Sequence, residues 1–299
     1  MKKSAFRVVP CVAAVIALLV SASASPVSAA KARVVRVTMT NSWRVPAPDP
    51  RGLAYNQHSH RLYISDSEID ETNRWRGRNL FTTSRRGRLL RVGSLRKATV
   101  EPEDSAWDNQ HRALYVVDDN RDRVFRFRSG RDHVLGTNDD HVDTVLRTRQ
   151  FGSSDPEGLG ISVRFNMLIV ADARGDRVFK VRRGPDKRVG TADDVVSSFS
   201  TRRIGFEFPT DVTWDKKSGH LFTVGPVENV ILETTMKGRL VRKIGLTGTT
   251  IRSASGIVFG QGSNGRPHHL YIVDAGIDDG LHPNQNDGRL FELRIRRAR

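Results

Sequence analysis

The chain repeats one stretch of sequence several times, and this repetition constrains its fold more than any other feature. In the clearest copy, the turn Asp155-Pro156-Glu157-Gly158 leads into a short apolar strand. A buried strand ending in a carboxylate follows at 167–172, and apolar and basic residues alternate over 176–182. Similar units return at a spacing of about 50 residues, which is typical of repeat architectures. Five units are visible, and they open at positions 50, 102, 156, 209 and 254.

Each unit has the pattern of four short strands without a sustained helical period, which predicts a β-propeller. The fifth unit lacks a fourth strand, whereas the apolar strand at 34–40 has no unit of its own. This N-terminal strand could fill the vacant position, close the ring and remove an exposed sheet edge. We therefore predict an all-β, five-bladed propeller of four-stranded blades closed by the N-terminal strand, with six blades as the alternative.

The first 30 residues have the pattern of a secretory signal peptide. Lys2, Lys3 and Arg7 precede the apolar stretch 8–20, and Ser28-Ala29-Ala30 offers a small-residue cleavage site. An uncleaved N-terminal anchor is the alternative. We expect cleavage, secretion to the periplasm or the extracellular space, and one propeller domain over 31–299 without a transmembrane segment. The single cysteine, Cys11, lies in this leader, so the mature chain has no thiol for a disulfide, a zinc–thiolate site or a nucleophile.

The formal net charge is +16, and the basic residues, mostly arginines, are spread along the chain. Such a charge favours weak, salt-sensitive adsorption to polyanions. The chain has no compact basic block, no known nucleic-acid motif and only 7% aromatic residues for base stacking. We therefore expect non-specific adsorption to anionic surfaces, no specific nucleic-acid partner, and a monomer.

The motifs Pro-Glu-Gly, Leu-(Tyr/Ile)-Val-x-Asp and Asp-Arg-Val-Phe resemble the NHL-type propeller repeat. The resemblance covers nearly the whole mature chain and extends to secreted bacterial propellers related to the SdiA-regulated family. The stretches that carry it are 62–68, 79–81, 154–158, 190–194, 209–212, 219–222 and 284–290. It implies a propeller fold and a connection with calcium. It leaves the reaction open, because members range from gluconolactonase-like to phytase-associated esterase-like proteins.

A duplicated loop is the strongest candidate for a metal site. Residues 130–140 and 184–194 share three carboxylates, two glycines and a threonine at the same spacing, and each loop joins the third and fourth strands of its unit. Carboxylates among small residues suit a hard cation such as Ca²⁺, although a polar hairpin is the alternative. The family usually has glycine where this chain has His133 and Lys187. The predicted calcium ligands are Asp132, Asp139 and Asp140 in the first loop and Asp186, Asp193 and Asp194 in the second.

First strands lie nearest the axis of a propeller, so the turns that open the units predict a set of side chains around one mouth of the central channel. In gluconolactonase-type propellers a metal lies there on a Glu, Asn and Asp set. Glu157 and Asp211 resemble part of that set, but the asparagines are missing, and an ion-pair ring around Arg51 is the alternative. The predicted binding residues of this channel mouth are Glu103, Asp104, Glu157 and Asp211.

Two functions are compatible with these motifs. We favour a secreted, non-enzymatic, calcium-assisted scaffold that presents a face to an unidentified ligand or envelope partner. The alternative is a metal-dependent hydrolase of lactones or esters, in which a cation at the channel mouth would activate water and Glu157 would act as the base. The incomplete metal set favours binding. Several histidines (58, 60, 111, 220, 268 and 269) are expected in or beside solvated turns, without a catalytic triad or metal set.

Overall fold

The computed structural model describes residues 30–67, 77–277 and 286–296. The predicted signal peptide therefore lies outside the described residues except for its last position. The first element among the described residues is an N-terminal strand, β1 (Ala30–Met39). Short 3-10 turns occur at Thr40–Ser42, Thr148–Phe151 and Arg202–Ile204. Within the described part of the chain, no helix has the length and apolar character needed to cross a membrane.

The remaining strands follow in consecutive sets. The first set is β2 (Pro50–Asn56), β3 (Arg61–Asp66), β4 (Leu80–Ser84) and β5 (Leu89–Gly93). The second is β6 (Asp104–Asp108), β7 (Ala113–Asp118), β8 (Arg123–Arg128) and β9 (His141–Arg147). The third is β10 (Pro156–Ser162), β11 (Met167–Asp172), β12 (Arg177–Arg182) and β13 (Val195–Ser200). The fourth is β14 (Asp211–Trp214), β15 (Leu221–Val224), β16 (Val230–Thr234) and β17 (Leu240–Gly245). The last is β18 (Ala254–Gly260), β19 (His269–Asp274) and β20 (Arg289–Arg296).

The strands of each set pair in chain order as an antiparallel sheet. The first strands of the sets contact one another in a closed cycle, β2 to β6, β10, β14, β18 and back to β2. These strands therefore surround a central axis, and the predicted β-propeller is confirmed. The described strands make five sets, while five blades for the whole chain stays a prediction.

The N-terminal strand occupies the position predicted for it. β1 pairs antiparallel with β20 from Lys31↔Arg296 to Met39↔Arg289, which completes the last set as β18-β19-β20-β1. Its first residues also pair parallel with β17, at Ala30↔Ile244 and Lys31↔Gly245. The outer edge of β20 is thereby covered, which removes a template for strand addition by other chains.

The apolar cores lie between neighbouring sets. Five clusters of buried side chains are present among the described residues, and each contains residues from two adjacent sets. In one of them, Tyr115 and Val117 of the second set pack with Leu159 and Val170 of the third. Burial falls outwards, since every residue of β7 is buried whereas most of β13 is exposed. Because a sheet buries its faces only against its neighbours, the ring stabilises each blade and fixes the geometry at the axis.

Candidate functional site

Five equivalent positions on the first strands lie where neighbouring first strands approach closely around the axis. Each lies opposite the corresponding residue of the second strand, as Gly52 lies opposite Ser65 and Asp104 opposite Val117. A Cβ atom added to Gly52 would lie 2.4 Å from the Cα of Asp104, so this approach requires glycine. We call these positions the axis ring. Its members alternate between glycine and aspartate: Gly52, Asp104, Gly158, Asp211 and Gly256.

The two aspartates of the axis ring hold the first strands together. Asp104 accepts hydrogen bonds from the backbone N–H groups of Leu53 at 3.0 Å and Leu159 at 2.6 Å, which belong to the sets on either side. Asp211 accepts the N–H of Ile257 at 2.5 Å. These donors are the residues that follow the three ring glycines. The aspartates therefore satisfy backbone groups that the first strands leave unpaired at the axis.

The carboxyl groups of Asp104 and Asp211 also bond to each other. Burial raises the pKa of Asp104 well above its ordinary value, and the charge of Asp211 adds to the effect. Burial raises the pKa of Asp211 as well, against the hydrogen bonds that it accepts. Such a pair shares a proton, because two buried carboxylates in contact repel each other when both are ionised. The pair is thus a structural element of the channel.

A second group of carboxylates lies at the beginning of the first strands, and we call it the acidic mouth. Its members are Glu103, Asp119, Asp155 and Glu157. Oxygen atoms of Asp119, Asp155 and Glu157 all lie within 4.8 Å of one another. Among the described residues, this is the one group of at least three His, Cys, Asp or Glu side chains close enough to share a metal ion. Three partly buried carboxylates fit a hard cation such as Ca²⁺.

Electrostatics at the acidic mouth favour added positive charge. Burial raises the pKa of Glu157 to about 7; nearby Arg51 opposes this rise, while Asp119 and Asp155 add to it. Burial, together with the charge of Glu157, raises the pKa of Glu103 well above its ordinary value. Burial is the main cause of both shifts, and repulsion between neighbouring carboxylates adds to it. A divalent cation would relieve that repulsion.

The four residues predicted for the channel mouth separate into two levels. Glu103 and Glu157 lie in the acidic mouth, whereas Asp104 and Asp211 lie in the axis ring. Asp211 therefore does not belong to the group that could share a metal ion, and Asp119 and Asp155 replace it there. Sequence reasoning missed both residues. The signal for Asp155 was its place directly before the Pro156-Glu157 turn, and that for Asp119 was its place directly after the strand-ending Asp118.

The carboxylates of the first predicted calcium loop accept hydrogen bonds from their own loop. Asp139 accepts from the N–H of Asp132 at 3.1 Å and from the hydroxyl of Thr137 at 2.6 Å, while Asp140 accepts from the N–H of Gly136 at 2.7 Å. The ammonium group of Lys97 donates to the carbonyl oxygens of Asn138 and Asp140. Lys97 therefore places a positive charge where a loop-bound cation would find two of its oxygen ligands.

The second loop repeats this geometry. Asp193 accepts from the N–H of Asp186 at 3.0 Å and from Thr191 Oγ1 at 2.6 Å, and Asp194 accepts from the N–H of Gly190 at 2.6 Å. Lys187 has a φ of 60°, and His133 in the first loop has a φ of 56°, so both occupy the left-handed region that favours glycine. The hydrogen bonds account for the duplicated sequence without a metal. Calcium in these loops stays a prediction.

The other end of the first strands opens into a cavity of about 710 Å³, which we call the aromatic mouth. Each of the five first strands contributes to its wall, with an apolar floor that includes Leu53, Leu159 and Ile257. Each strand also contributes the residue three positions after its axis-ring member. These five residues are Tyr55, Trp107, Ile161, Trp214 and Phe259. Their shared place in the repeat is the signal by which an alignment of the units could have found this site.

Polar groups edge the aromatic mouth. His60 Nδ1 lies 2.8 Å from the Tyr55 hydroxyl, and His268 Nε2 lies 2.9 Å from Asp215 Oδ1. The His268 ring stacks on Phe259 with 4.7 Å between ring centroids. Burial alone would raise the pKa of Asp215, but hydrogen bonds from His268, Lys217 and Ser218 hold it well below its usual range. Histidines 58, 60 and 268, predicted in or beside solvated turns, thus line this cavity.

No protein-family model matches the chain, and no curated protein matches it. Several solved structures share its fold. It is similar to glutaminyl cyclase from Myxococcus xanthus, with a TM-score of 0.60 and 15% identity over 91% of this chain and 99% of that one. It is also similar to the PQQ-bound aldose sugar dehydrogenase from Streptomyces coelicolor, with a TM-score of 0.53 and 14% identity over 91% and 100%.

A third similar structure is regucalcin, a calcium-binding protein from Agrobacterium tumefaciens, with a TM-score of 0.50 and 15% identity over 82% of this chain and 76% of that one. At these identities the likeness concerns the fold alone. The comparisons thus support the propeller fold, while the resemblance to NHL-type and SdiA-regulated propellers is not confirmed. The shared fold is found in enzymes and in a calcium-binding protein.

Proposed function

We propose that this protein is a secreted ligand-binding propeller whose aromatic mouth receives a small organic molecule. The observation that carries the proposal is the cavity of about 710 Å³ bounded by all five first strands. Known ligand pockets span roughly 300 to 1,000 Å³ and combine apolar walls with a few polar groups. In this proposal, a cation at the acidic mouth stabilises the ring from the opposite end.

The cavity wall indicates the chemistry of the ligand. Four aromatic side chains provide faces and edges for a planar ring, and the floor between them is apolar. The edge carries amide and imidazole groups, together with Lys216, while Asp215 already accepts a hydrogen bond from His268. We therefore expect a planar, largely apolar ligand that carries an acceptor or an anionic group at its periphery.

The probe 8-anilinonaphthalene-1-sulfonate has this chemistry and tests the proposal without knowledge of the natural ligand. It should bind the folded protein at one site and receive excitation energy from the tryptophans. Trp107→Ala and Trp214→Ala should each weaken binding by at least about tenfold, because a stacking partner is lost. The conservative Trp→Phe changes should retain most of it.

Val227→Ala provides a control, because Val227 is an exposed apolar residue that does not line the cavity. It should leave probe binding unchanged. Melting curves of every variant distinguish loss of the cavity from loss of the fold. Equal probe binding by the Trp→Ala variants and the wild-type protein would contradict the proposal.

A second candidate function is metal-dependent hydrolysis of a lactone or ester at the acidic mouth. It is favoured by one observation, the grouping of Asp119, Asp155 and Glu157 within 4.8 Å. These three residues would hold the cation, which would polarise the substrate or lower the pKa of bound water. In the cation-free chain burial raises the pKa of Glu157 to about 7; a bound cation would lower it, so that Glu157 would act as an ionised base held in place by its hydrogen bond to Glu103.

Turnover of δ-gluconolactone and p-nitrophenyl acetate, measured with calcium, with magnesium and with chelator, tests this second function. Cation-dependent hydrolysis that falls at least about a hundredfold in Glu157→Gln would support it. Trp107→Ala, at the opposite mouth, should leave the rate unchanged and serves as the control. Absence of cation-dependent turnover above the background rate would remove this candidate.

A further inference from the structure

Two smaller cavities adjoin on the face formed by the first and second sets of strands. One, of about 460 Å³, lies beside the β4–β5 hairpin and the end of β1. The other, of about 520 Å³, lies between the first and second sets. Arg91 lines both, so the cavities are neighbours along one surface. No aspartate or glutamate among the described residues lines either cavity.

Six arginines line these two cavities, and we call them the arginine track. All six are exposed, and none forms an ion pair with a carboxylate in the part of the chain that the structure describes. Arginines elsewhere are often paired, as Arg126 is with Asp143 at 2.8 Å and Arg202 with Asp176 at 2.6 Å. The members of the track are Arg44, Arg86, Arg88, Arg91, Arg61 and Arg112.

The backbone that carries the track is held firmly. Gly87, with a φ of 77°, occupies the turn between Arg86 and Arg88, where an added Cβ would lie 2.0 Å from Thr38 Oγ1 on β1. The turn is closed by the hydrogen bond from Gly87 N–H to the Ser84 carbonyl at 2.9 Å. The indole N–H of buried Trp43 donates to the Gly87 carbonyl at 3.0 Å. The hairpin therefore holds the backbone of Arg86 and Arg88 in place against the N-terminal strand.

We propose that the arginine track binds a linear polyanion that carries repeated phosphate or sulfate groups and no bases. Guanidinium groups donate paired hydrogen bonds to tetrahedral oxyanions. Within the described residues none of the six has a carboxylate partner, and Arg86 donates only to the Ser263 carbonyl at 3.4 Å. Six such groups along two joined cavities match a polymer rather than a single anion. One of the two cavities shares His58 and Trp107 with the aromatic mouth, but none of the six arginines lines that mouth. It provides a local focus for the polyanion adsorption that the net charge predicts.

The aromatic side chains along the track argue against a nucleic acid. Single-stranded nucleic acids are held by exposed aromatic faces on which bases stack. Trp43 and Tyr63 are only 8% and 9% exposed, and Trp107 packs against Tyr63 with 5.4 Å between ring centroids. Trp43 and Tyr63 therefore offer little ring surface for bases, and Trp107 is half-buried and shared with the aromatic mouth. A polymer without bases needs no more than this.

Three fluorescently labelled probes test the proposal with the mature chain: inorganic polyphosphate, heparin and single-stranded DNA. Binding is measured by anisotropy over a range of salt concentrations. The triple variant Arg61→Gln, Arg88→Gln, Arg91→Gln removes three charges from the track. The matched control Arg182→Gln, Arg188→Gln, Arg203→Gln removes three exposed arginines that line neither cavity and form no ion pair within the described residues.

The track variant should bind polyphosphate or heparin at least about tenfold more weakly, and the logarithmic salt slope should fall by about 2, from roughly 0.7 per lost contact. The control variant should change affinity less than about threefold. Tighter binding of polyphosphate identifies phosphate as the recognised group, and tighter binding of heparin identifies sulfate; either supports the proposal.

Equal losses in both triple variants would overturn it in favour of net charge, and tighter binding of DNA would overturn it in favour of nucleic acid. The anilinonaphthalene probe should bind all variants equally, so failure here is distinct from failure of the proposed function.

Discussion

The acidic mouth and the aromatic mouth lie at opposite ends of the same five strands, and they differ in chemistry. At the beginning of the strands, carboxylate oxygens of Asp119 in the second set and of Asp155 and Glu157 at the third set lie within 4.8 Å of one another. At the other end, aromatic side chains from four sets surround a cavity of about 710 Å³. The Asp104–Asp211 pair and the glycines of the axis ring lie between them.

The difference shows that a repeated backbone supports unlike sites at its two ends. The axis ring needs small residues and hydrogen-bond acceptors because first strands approach closely there. Side chains one residue before the axis ring and three residues after it lie outside this close approach and can therefore be larger. Crowded carboxylates and a wide apolar opening both destabilise a fold, and such features are concentrated at functional sites.

Removal of the N-terminal strand should have the largest effect, because both mouths depend on a closed ring. Deleting residues 30–39 leaves β20 as an exposed edge and should lower the free energy of unfolding by several kcal/mol. Thermal melts and size-exclusion chromatography should show a lower midpoint and aggregation, with probe binding and any cation effect lost together. A truncated protein that melts like the full mature chain would show that closure does not stabilise the ring.

Asp104→Ala should have the next largest effect, because Asp104 is the hydrogen-bond acceptor that joins neighbouring first strands between the two mouths. The buried N–H groups of Leu53 and Leu159 lose their partner, at a cost of about 2–5 kcal/mol in unfolding free energy. Chemical denaturation measures this loss. Asp143→Ala is the control. The Asp143 side chain is 42% exposed, so its ion pair with Arg126 should contribute less than about 1 kcal/mol to the free energy of unfolding. Equal losses in the two variants would contradict the role of the axis ring.

Calcium should stabilise the folded chain and reveal which carboxylates bind it. At a hundredfold excess over the dissociation constant, one site contributes roughly 2.7 kcal/mol if the unfolded chain does not bind. We expect Asp155→Asn to remove most of the rise in melting midpoint, because Asp155 belongs to the group in the acidic mouth. Loss of the rise in Asp140→Asn and Asp194→Asn would instead favour the duplicated loops. Identical melting curves in calcium and in chelator would contradict calcium binding at the acidic mouth and at the duplicated loops.

The pH dependence of the free energy of unfolding should also distinguish the acidic mouth from the aromatic mouth. The folded-state pKa of Glu157 is raised from 4.5 to about 7, so the folded chain binds a proton more tightly than the unfolded chain. Its contribution is complete below about pH 4.5 and is lost as the pH rises through about 7, a change on the order of 3 kcal/mol. Glu157→Gln should make this fall smaller without removing it, because burial also raises the pKa of Asp211 to about 7, whereas Trp107→Ala should leave the slope unchanged. A profile of the wild type without this fall, in the absence of divalent cations, would contradict the raised pKa.

Much of the fold could be predicted because it depends on local patterns. Period-two alternation identified the strands, the spacing of about 50 residues identified the repeat, and the missing fourth strand identified the place of β1. Glu103 and Glu157 were predicted at the channel mouth from their position in the repeat; the structure brings them close enough to interact, and their role in binding stays a prediction. The duplicated loops were harder to interpret, because backbone N–H groups and metal ions attract the same carboxylates.

The sequence by itself determined the repeating strand pattern and the positions that face the axis, because both follow from the spacing of residues along the chain. Only the tertiary structure decided which side chains from different units meet. Asp119 and Asp155 join Glu157 because neighbouring blades converge, and four aromatic residues enclose a cavity because the ring brings their strands together. Six arginines that are dispersed in the sequence become one track for the same reason. A repeat specifies the surroundings of each unit, whereas a site shared between units exists only once the ring has closed.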